Sequence, residues 1–302
     1  MNEPELIASL RRRAALPSTA GVVLGIGDDC AIVRPRGASE DWLYTTDMLI
    51  EGTHFRRETH RASDVGWKAL ARGLSDIAAM GGEPRFCLLS LAVTSWVDAR
   101  WLRGFYDGLL SLAVRAGTAL VGGDLVHTDR VMCDIVVAGT VPRGMALRRD
   151  GARAGDAIYV SGTLGGSALG LESERGKAWI RHKRPEPRLA LGRFLRARTG
   201  VSAAMDLSDG LSLDLHRLCA ASGLRAEIAA PPLHRGATLE QALHGGEDYE
   251  LLFTAPARVR LPHEFEGLAL TRIGTMRKGA AGAVSLDGEP LPPLGYDHLR
   301  RL

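Results

Sequence analysis

Two hydrophobic periodicities alternate along the first half of the chain. Mostly apolar stretches predict strands at residues 22–33, 42–46, 86–94, 118–121 and 131–141. Between them, apolar residues recur at helical spacing in residues 63–81 and 98–117, which predicts two helices that end near Gly81 and at Gly117. Because strands and helices alternate, we predict an α/β architecture for this half.

The same kind of pattern starts again in the second half. Residues 145–156 are rich in Arg and Gly and have no periodicity, so we predict two domains, residues 1–146 and 147–302, that meet at a shared cleft. A helix is predicted to begin with Ser208 or Asp209 as its N-cap and to end at Gly223. Further strands are predicted at residues 157–161, 225–229, 249–254, 270–275 and 284–291, the last with a hairpin turn at Asp287-Gly288.

Composition narrows the classes of protein that this chain can belong to. With 302 residues, 45% of them hydrophobic and 24% charged, it has the composition of an ordinary globular protein of two domains. Its 38 basic and 35 acidic residues form no long basic block, which argues against a nucleic-acid partner. No apolar run is long enough to span a membrane, and the four cysteines are scattered, which argues against zinc and disulfides. We expect a cytoplasmic protein.

Aspartates in short clusters with Gly, Ser and Thr are the main candidate chemistry. The clusters are Gly27-Asp28-Asp29, Thr45-Thr46-Asp47, Ser75-Asp76, Gly122-Gly123-Asp124 and Asp206-Leu207-Ser208-Asp209-Gly210. Each cluster taken alone fits a turn or a helix cap. Their repetition at positions predicted to be loops favours a shared site for Mg²⁺ and a polyphosphate, since all ligands on offer are hard oxygens.

Three further features keep two interpretations open. The glycine-rich residues 161–167 join a strand to a helix, so they form either a phosphate-binding turn or simply a tight turn. They lack the Gly-Lys-Ser/Thr ending of a P-loop, which favours the tight turn. His54 and Glu247 are either functional or ordinary loop and strand-entry residues.

Together these segments resemble the thiamine-monophosphate kinase family, in the superfamily of aminoimidazole ribonucleotide synthetase and selenophosphate synthetase. The most specific segments are Asp-x-Ser-Asp-Gly at 206–210 and Gly-Gly-Glu-Asp-Tyr-Glu-Leu at 245–251. The other matching segments are residues 25–31, 46–47, 52–55, 74–81, 122–124 and 295–298. They follow the family's order over nearly the whole chain. One departure is Pro293, where relatives commonly carry an aromatic residue; Tyr296 is a candidate substitute.

The resemblance implies a fold, a reaction and partners. The fold would be the two-domain α/β (α+β) aminoimidazole ribonucleotide synthetase-like fold, with the N-terminal sheet pairing across a homodimer. The reaction would be transfer of the ATP γ-phosphoryl group to thiamine monophosphate with several Mg²⁺ ions. Two rivals stay open: another ATP-using ligase or synthetase of the superfamily, and a catalytically silent binding protein.

The resemblance also implies roles for individual residues. The metal ligands would be Asp29, Thr45 or Thr46, Asp47, Asp76, Asp124, Asp206 and Asp209, of which Asp47, Asp124 and Asp209 form the catalytic set. ATP would contact Tyr106, Gly123, Asp124, Arg149 and Ser208, and thiamine would contact His54, Glu247 and Tyr296. The acceptor phosphate, with a second pKa of about 6, is already a dianion at neutral pH, so direct in-line transfer without a phosphoenzyme is expected.

Overall fold

The computed structural model describes residues 3–14, 21–198 and 200–299. The helices are α1 (Glu3–Arg13), α2 (Ala62–Ala79), α3 (Ala99–Ala116), α4 (Gly166–Ser173), α5 (Gly176–Lys183), α6 (Leu189–Ala197), α7 (Leu211–Ala221) and α8 (Leu239–His244). Strands β1 to β6 are Val22–Leu24, Ala31–Val33, Glu40–Ile50, Glu83–Val93, Ala119–His127 and Met132–Pro142. Strands β7 to β14 are Asp156–Ser161, Ala203–Asp206, Arg225–Ile228, Leu251–Pro256, Glu264–Phe265, Leu268–Arg277, Val284–Leu286 and Glu289–Pro290. None of the described helices is both long and apolar enough to cross a membrane.

The first sheet has six strands in the order β1-β2-β3-β6-β4-β5. Adjacent strands of this sheet are antiparallel except for β4 and β5, which are parallel and joined by α3. Parallel neighbours need such a crossover, whereas antiparallel ones can be joined by a turn. Helices α2 and α3 bury Leu70, Leu74, Phe105 and Leu109 in one apolar core with this sheet. Elsewhere on these strands, apolar side chains such as Met48 are exposed.

The second sheet has eight strands in the order β14-β13-β9-β12-β7-β10-β8, with β11 paired to β12. Alternate residues of β8 belong to different cores, with Met205 in the core that contains α7 and Ala204 in the core that contains α6. Because successive strand residues point to opposite faces, helices cover both faces of this sheet.

Helix α2 joins the two halves. Ala79 near its C-terminus shares a core with Leu195 of α6 and Phe253 of β10. A Cβ atom added at Gly192 of α6 would lie 2.0 Å from the carbonyl oxygen of Ala78, so the two helix backbones are in contact there. The end of α2 is therefore fixed against the second half of the chain.

The two-part α/β architecture predicted from the sequence is confirmed. The limits of α3 are confirmed too, because Asp98 accepts a 2.7 Å hydrogen bond from the amide of Trp101 and Gly117 ends the helix with a φ of 69°. The division at residue 146 falls between β6 and β7 and stays a prediction.

Two predicted elements were wrong in detail. The stretch 22–33 is not one strand but β1 and β2, separated by the loop that carries Asp28 and Asp29. Helix α7 has Gly210 as its N-cap, not Ser208 or Asp209. The reason is local: the carboxylate of Asp214, inside the helix, accepts hydrogen bonds from the amides of Asp209 and Gly210.

Candidate active site

A cavity of about 660 Å³ opens between the two halves of the chain. Residues of β3, α2 and the β1–β2 loop line one side, and residues 206, 208, 209, 244–247, 249 and 294–298 line the other. The predicted site residues along it are Asp29, Thr45, Thr46, Asp47, His54, Asp76, Arg149, Asp206, Ser208, Asp209, Glu247 and Tyr296. The fold therefore brings most of the predicted site to one place.

Three carboxylates converge at the base of this cavity. Asp29 lies in the β1–β2 loop, Asp76 in the last turn of α2 and Asp206 at the end of β8, and each offers an oxygen within 4.8 Å of the others. The hydroxyl of Thr45 donates to Asp76 at 2.5 Å, and that of Ser75 donates to Asp206 at 2.7 Å. Oδ2 of Asp29 is buried without a hydrogen-bond partner among the described residues. This oxygen-only donor set fits a hard divalent cation.

The electrostatics of this carboxylate cluster also favour a cation. Burial, with repulsion from Asp206 and Asp29, raises the pKa of Asp76 well above its ordinary value. Burial and the charge of Asp29 do the same to the pKa of Asp206. Burial raises the pKa of Asp29 as well, although Arg149 opposes that shift. These raised pKa values mean that a cation bound here would compete with protons for the carboxylates.

Arginines neutralise carboxylates around the cluster. The pairs are Arg149 with Asp29, Arg72 with Asp47, and Arg217 with Asp209. Arg149 was predicted from the sequence, whereas Arg72 and Arg217 were not. Arg72 could have been predicted as a site residue from the sequence, because it stands one helical turn before Asp76 and thus on the same face of α2.

The far end of the cavity holds the neutral ring of His54, a hydrogen-bond donor, and the ionised carboxylate of Glu247, a hydrogen-bond acceptor. Nδ1 of His54 accepts a hydrogen bond from the amide of Ile50 at 3.0 Å, so Nε2 carries the proton. Burial and then Arg72 lower the pKa of His54 to about 3, which keeps the ring neutral. Burial alone would raise the pKa of Glu247, but the charges of Lys68, His182 and Arg72, together with the hydrogen bond from Lys68, outweigh burial and lower the pKa to about 2.

Aromatic rings continue from this end toward the cavity mouth. The ring of His298 lies 5.6 Å from that of His54 and 4.7 Å from that of Tyr296. The amide of Tyr296 donates to the carbonyl of Asp209 at 2.9 Å, which ties the chain's last described segment to the cavity. A flat ligand ring at this end would meet aromatic surface.

Most amides of the glycine-rich turn at 161–167 already have partners within the protein. Those of Gly162 and Leu164 donate to backbone carbonyls, and those of Gly165 and Ser167 donate to the carboxylate of Asp248 at 2.6 and 3.1 Å. The tight-turn interpretation of this segment is therefore confirmed.

Several acidic clusters were expected in loops, and for two of them this was wrong. Asp47 lies within β3 and Asp124 within β5, whereas Asp76 lies within α2, in the helix predicted for residues 63–81. Small and polar neighbours suggested turns, but β3 pairs with β6 along its whole length and β5 pairs with β4 through Asp124. Strand pairing over that length overrides local turn propensity.

The two threonines before Asp47 also differ from each other. Because they are neighbours in a strand, they point to opposite faces of the sheet. Both threonines border the cavity, but Thr45 donates to Asp76 there, whereas the hydroxyl of Thr46 donates to Asp134 at 2.6 Å on an exposed part of the sheet.

Tyr106, Gly123 and Asp124 do not line the cavity of their own chain. Tyr106 lies on α3, and Asp124 is exposed on the edge strand β5. Strands β6 and β4 separate β5 from β3, which places the edge strand about 14 Å from β3 at ordinary strand spacing. Their contacts with ATP stay a prediction.

Comparison with known proteins identifies the family. The descriptions "AIR synthase related protein, N-terminal domain" and "C-terminal domain" match residues 27–141 and 153–287. Thiamine-monophosphate kinase of Escherichia coli (strain K12) is 40% identical over 312 residues, 93% of each chain. That of Bacillus subtilis (strain 168) is 35% identical over 99% of this chain and 100% of the relative. The chain belongs to the thiamine-monophosphate kinase family.

A solved structure of this family supports the same assignment. AaThiL complexed with AMPPCP and TMP is 33% identical to this chain, with a TM-score of 0.86. The similarity covers 99% of this chain and 97% of that one. The thiamine-monophosphate kinase fold therefore extends over both sheets and the cavity between them.

Proposed function

We propose that this chain transfers the γ-phosphoryl group of ATP to thiamine monophosphate, forming thiamine diphosphate and ADP. The observation that carries the proposal is the content of one cavity: Asp29, Asp76 and Asp206 converge within 4.8 Å, and Glu247 and His54 line the same space. A phosphoryl transferase needs an anionic, cation-binding end and an end that recognises the acceptor. Family membership agrees with this assignment.

We further propose that the carboxylates of Asp29, Asp47, Asp76, Asp206 and Asp209 hold Mg²⁺. Their oxygens are ligands that Mg²⁺ prefers, and the unpartnered Oδ2 of Asp29 leaves a ligand position open. When bound, Mg²⁺ supplies positive charge between the phosphates of the two substrates, which would otherwise repel each other.

The chain's own residues then bind and orient the substrates. Arg149 borders the cavity beside Asp29, where a triphosphate would take over part of its charge pairing. The acceptor phosphate is a dianion at neutral pH because its second pKa is about 6, so no residue has to remove a proton from it. Transfer then depends on positioning and electrostatics, in one direct step.

At the far end, Glu247 and His54 orient the thiamine moiety. Nε2–H of His54 is a neutral donor, and the carboxylate of Glu247 is an acceptor for the amino group of a pyrimidine ring. Tyr296 and His298 supply aromatic surface beside them, so they provide stacking surface where Pro293 does not.

We propose a homodimer to account for Tyr106, Gly123 and Asp124. Strand β5 is an unpaired edge that exposes Val121 and Leu125, and such an edge is a template for pairing with another chain. A second copy packed there would bring Asp124 toward its partner's cavity. The supporting observation is that these residues are remote from the cavity of their own chain.

Chromatography of the products tests the activity. The protein is incubated with Mg-ATP and thiamine monophosphate, with free thiamine as the control acceptor. Thiamine diphosphate from the monophosphate alone is the expected result. Product from free thiamine would indicate a different kinase, and substrate binding without product would indicate a silent binding protein.

A further inference from the structure

Lys68 is fully buried although it carries a charge. It lies on α2 with 0% of its side chain exposed, among the hydrophobic residues of the first core. An ammonium group in such a place is strongly unfavourable unless it is paired. Its Nζ donates to Oε2 of Glu247 at 2.8 Å and to the carbonyl oxygen of His54 at 3.0 Å.

These two contacts link both sides of the cavity. His54 follows β3 in the first half of the chain, whereas Glu247 belongs to the segment between α8 and β10 in the second half. Both line the cavity, and Lys68 reaches them from behind. One ammonium group thus fixes the distance between the two groups that face the acceptor.

Glu247 is held in an unusual backbone conformation. Its φ is 64°, and Tyr249 two residues later has a φ of 50°, both in the left-handed region that favours glycine. The amides of these residues donate to the carbonyls of Ser208 and Leu207. Left-handed non-glycine residues persist where surrounding contacts over-determine them, and they concentrate at binding sites.

The second oxygen of Glu247 is available to a ligand. Oε1 is buried and has no hydrogen-bond partner among the described residues. His182 is the other group close to Oε2, with Nδ1 at 3.4 Å, and this nitrogen also lies 2.9 Å from the hydroxyl of Ser167. Of the groups in contact with Glu247, Lys68 therefore supplies the strong hydrogen bond.

We propose that Lys68 is a positioning residue that sets Glu247 and His54 for recognition of the aminopyrimidine ring of thiamine monophosphate. Lys68 bonds Oε2, which leaves Oε1 to accept from the amino group of the ring. The inference rests on the proposed function, since it takes thiamine monophosphate as the acceptor. Lys68 does not touch the substrate; it acts through Glu247 and the His54 loop.

Steady-state kinetics of Lys68→Met, Glu247→Gln and the double variant test the proposal, with exposed Lys177→Met as the matched control. Lys68→Met should raise KM for thiamine monophosphate by roughly 10- to 100-fold, the effect of losing a hydrogen bond to a charged group. KM for ATP should stay within about twofold, because the lost contact lies at the acceptor end. Lys177→Met should match the wild type.

The double variant separates positioning from a purely structural role. It removes both buried charges, so it folds even if Lys68→Met alone does not. The two single effects should not multiply: its KM for thiamine monophosphate should exceed that of Glu247→Gln only by the part that Lys68 contributes through the His54 loop. An unchanged KM in Lys68→Met, equal rises for both substrates, or multiplied effects in the double variant would overturn the proposal.

The wild-type assay distinguishes this proposal from the function it rests on. If the wild type forms no thiamine diphosphate, the function is wrong, and calorimetric titration with thiamine monophosphate then decides the role of Lys68. Binding that is weakened in Lys68→Met but not in Lys177→Met supports the role, and equal binding contradicts it.

Discussion

Asp76 in the last turn of α2 and Asp206 at the end of β8 come from different halves of the chain, yet their carboxyl oxygens lie within 4.8 Å. Ser75, the neighbour of Asp76, donates a hydrogen bond to Asp206 across the junction. Two like charges at this distance in a buried place repel each other. The two halves of the chain therefore meet at a buried pair of carboxylates, and the chain itself neutralises their negative charge only in part.

Replacing Asp76 by Asn separates stability from activity. The variant should lose at least about 100-fold in turnover, because a carboxylate that holds cationic charge at the phosphates is removed. The cation-free variant should melt at a higher temperature than the wild type, since a buried like-charge contact is relieved. Thermal melts in EDTA and initial rates check both effects, with exposed Asp107→Asn on α3 as the control. A near-normal rate would argue against a cation site at Asp76.

Stabilisation by Mg²⁺ should increase with pH. The pKa values of Asp76 and Asp206 are raised in the folded state, so the cation-free fold holds more protons than the unfolded chain and loses stability as pH rises through those values. Mg²⁺ replaces the protons, and its effect on Tm should be larger at about pH 8 than at about pH 6. The buried histidines titrate equally with and without Mg²⁺, so their contribution cancels in the difference between the two Tm values. An equal or smaller Mg²⁺ effect at the higher pH contradicts this reasoning.

Mixed dimers test whether Asp124 acts on a partner's cavity. Asp124→Asn and Asp209→Asn should each be nearly inactive alone. After co-expression or subunit exchange, the mixture should recover about one quarter of the wild-type rate, because half of the dimers then contain one intact site. If Asp124 acts within its own chain, mixing restores nothing.

Gly108 tests the packing of α3 on α2. A Cβ atom there would lie 1.9 Å from the carbonyl oxygen of Ser63 at the start of α2, so Gly108→Ala should destabilise the fold by about 1–3 kcal/mol. Gly104 on the same helix has its nearest contact at 3.2 Å, from the Cβ atom of Ala62, so a movement of a few tenths of an ångström accommodates a methyl group there. Gly104→Ala should therefore be close to neutral in chemical denaturation. Equal effects of both substitutions would refute the close approach at Gly108.

The sequence was most informative where local chemistry decides the structure. The periodicity of α3, its start near Asp98 and its end at Gly117 are all local, and the structure confirms them. Residue types and motif order likewise indicated most of the cavity lining. The start of α7 was missed because Asp214 caps from inside the helix, which depends on a side-chain conformation that periodicity does not reveal.

The rest depended on contacts between distant segments. Lys68 looked like an ordinary helix residue, and its importance follows from its bonds to Glu247 and His54 across the cavity. Asp124 looked like part of the same cluster as Asp47, but strand order places it at the far edge of the sheet. Such placement is set by tertiary pairing and not by sequence neighbours.

Atom tracing with ATP labelled at the γ-phosphate tests the central claim most directly. The protein is incubated with the labelled ATP, Mg²⁺ and thiamine monophosphate, and the nucleotide, the thiamine products and the protein are separated. Direct transfer predicts that the label appears in the terminal phosphate of thiamine diphosphate, with an equal amount of ADP and no labelled protein. Absence of labelled thiamine diphosphate, or a stable label on the protein during turnover, would contradict the account.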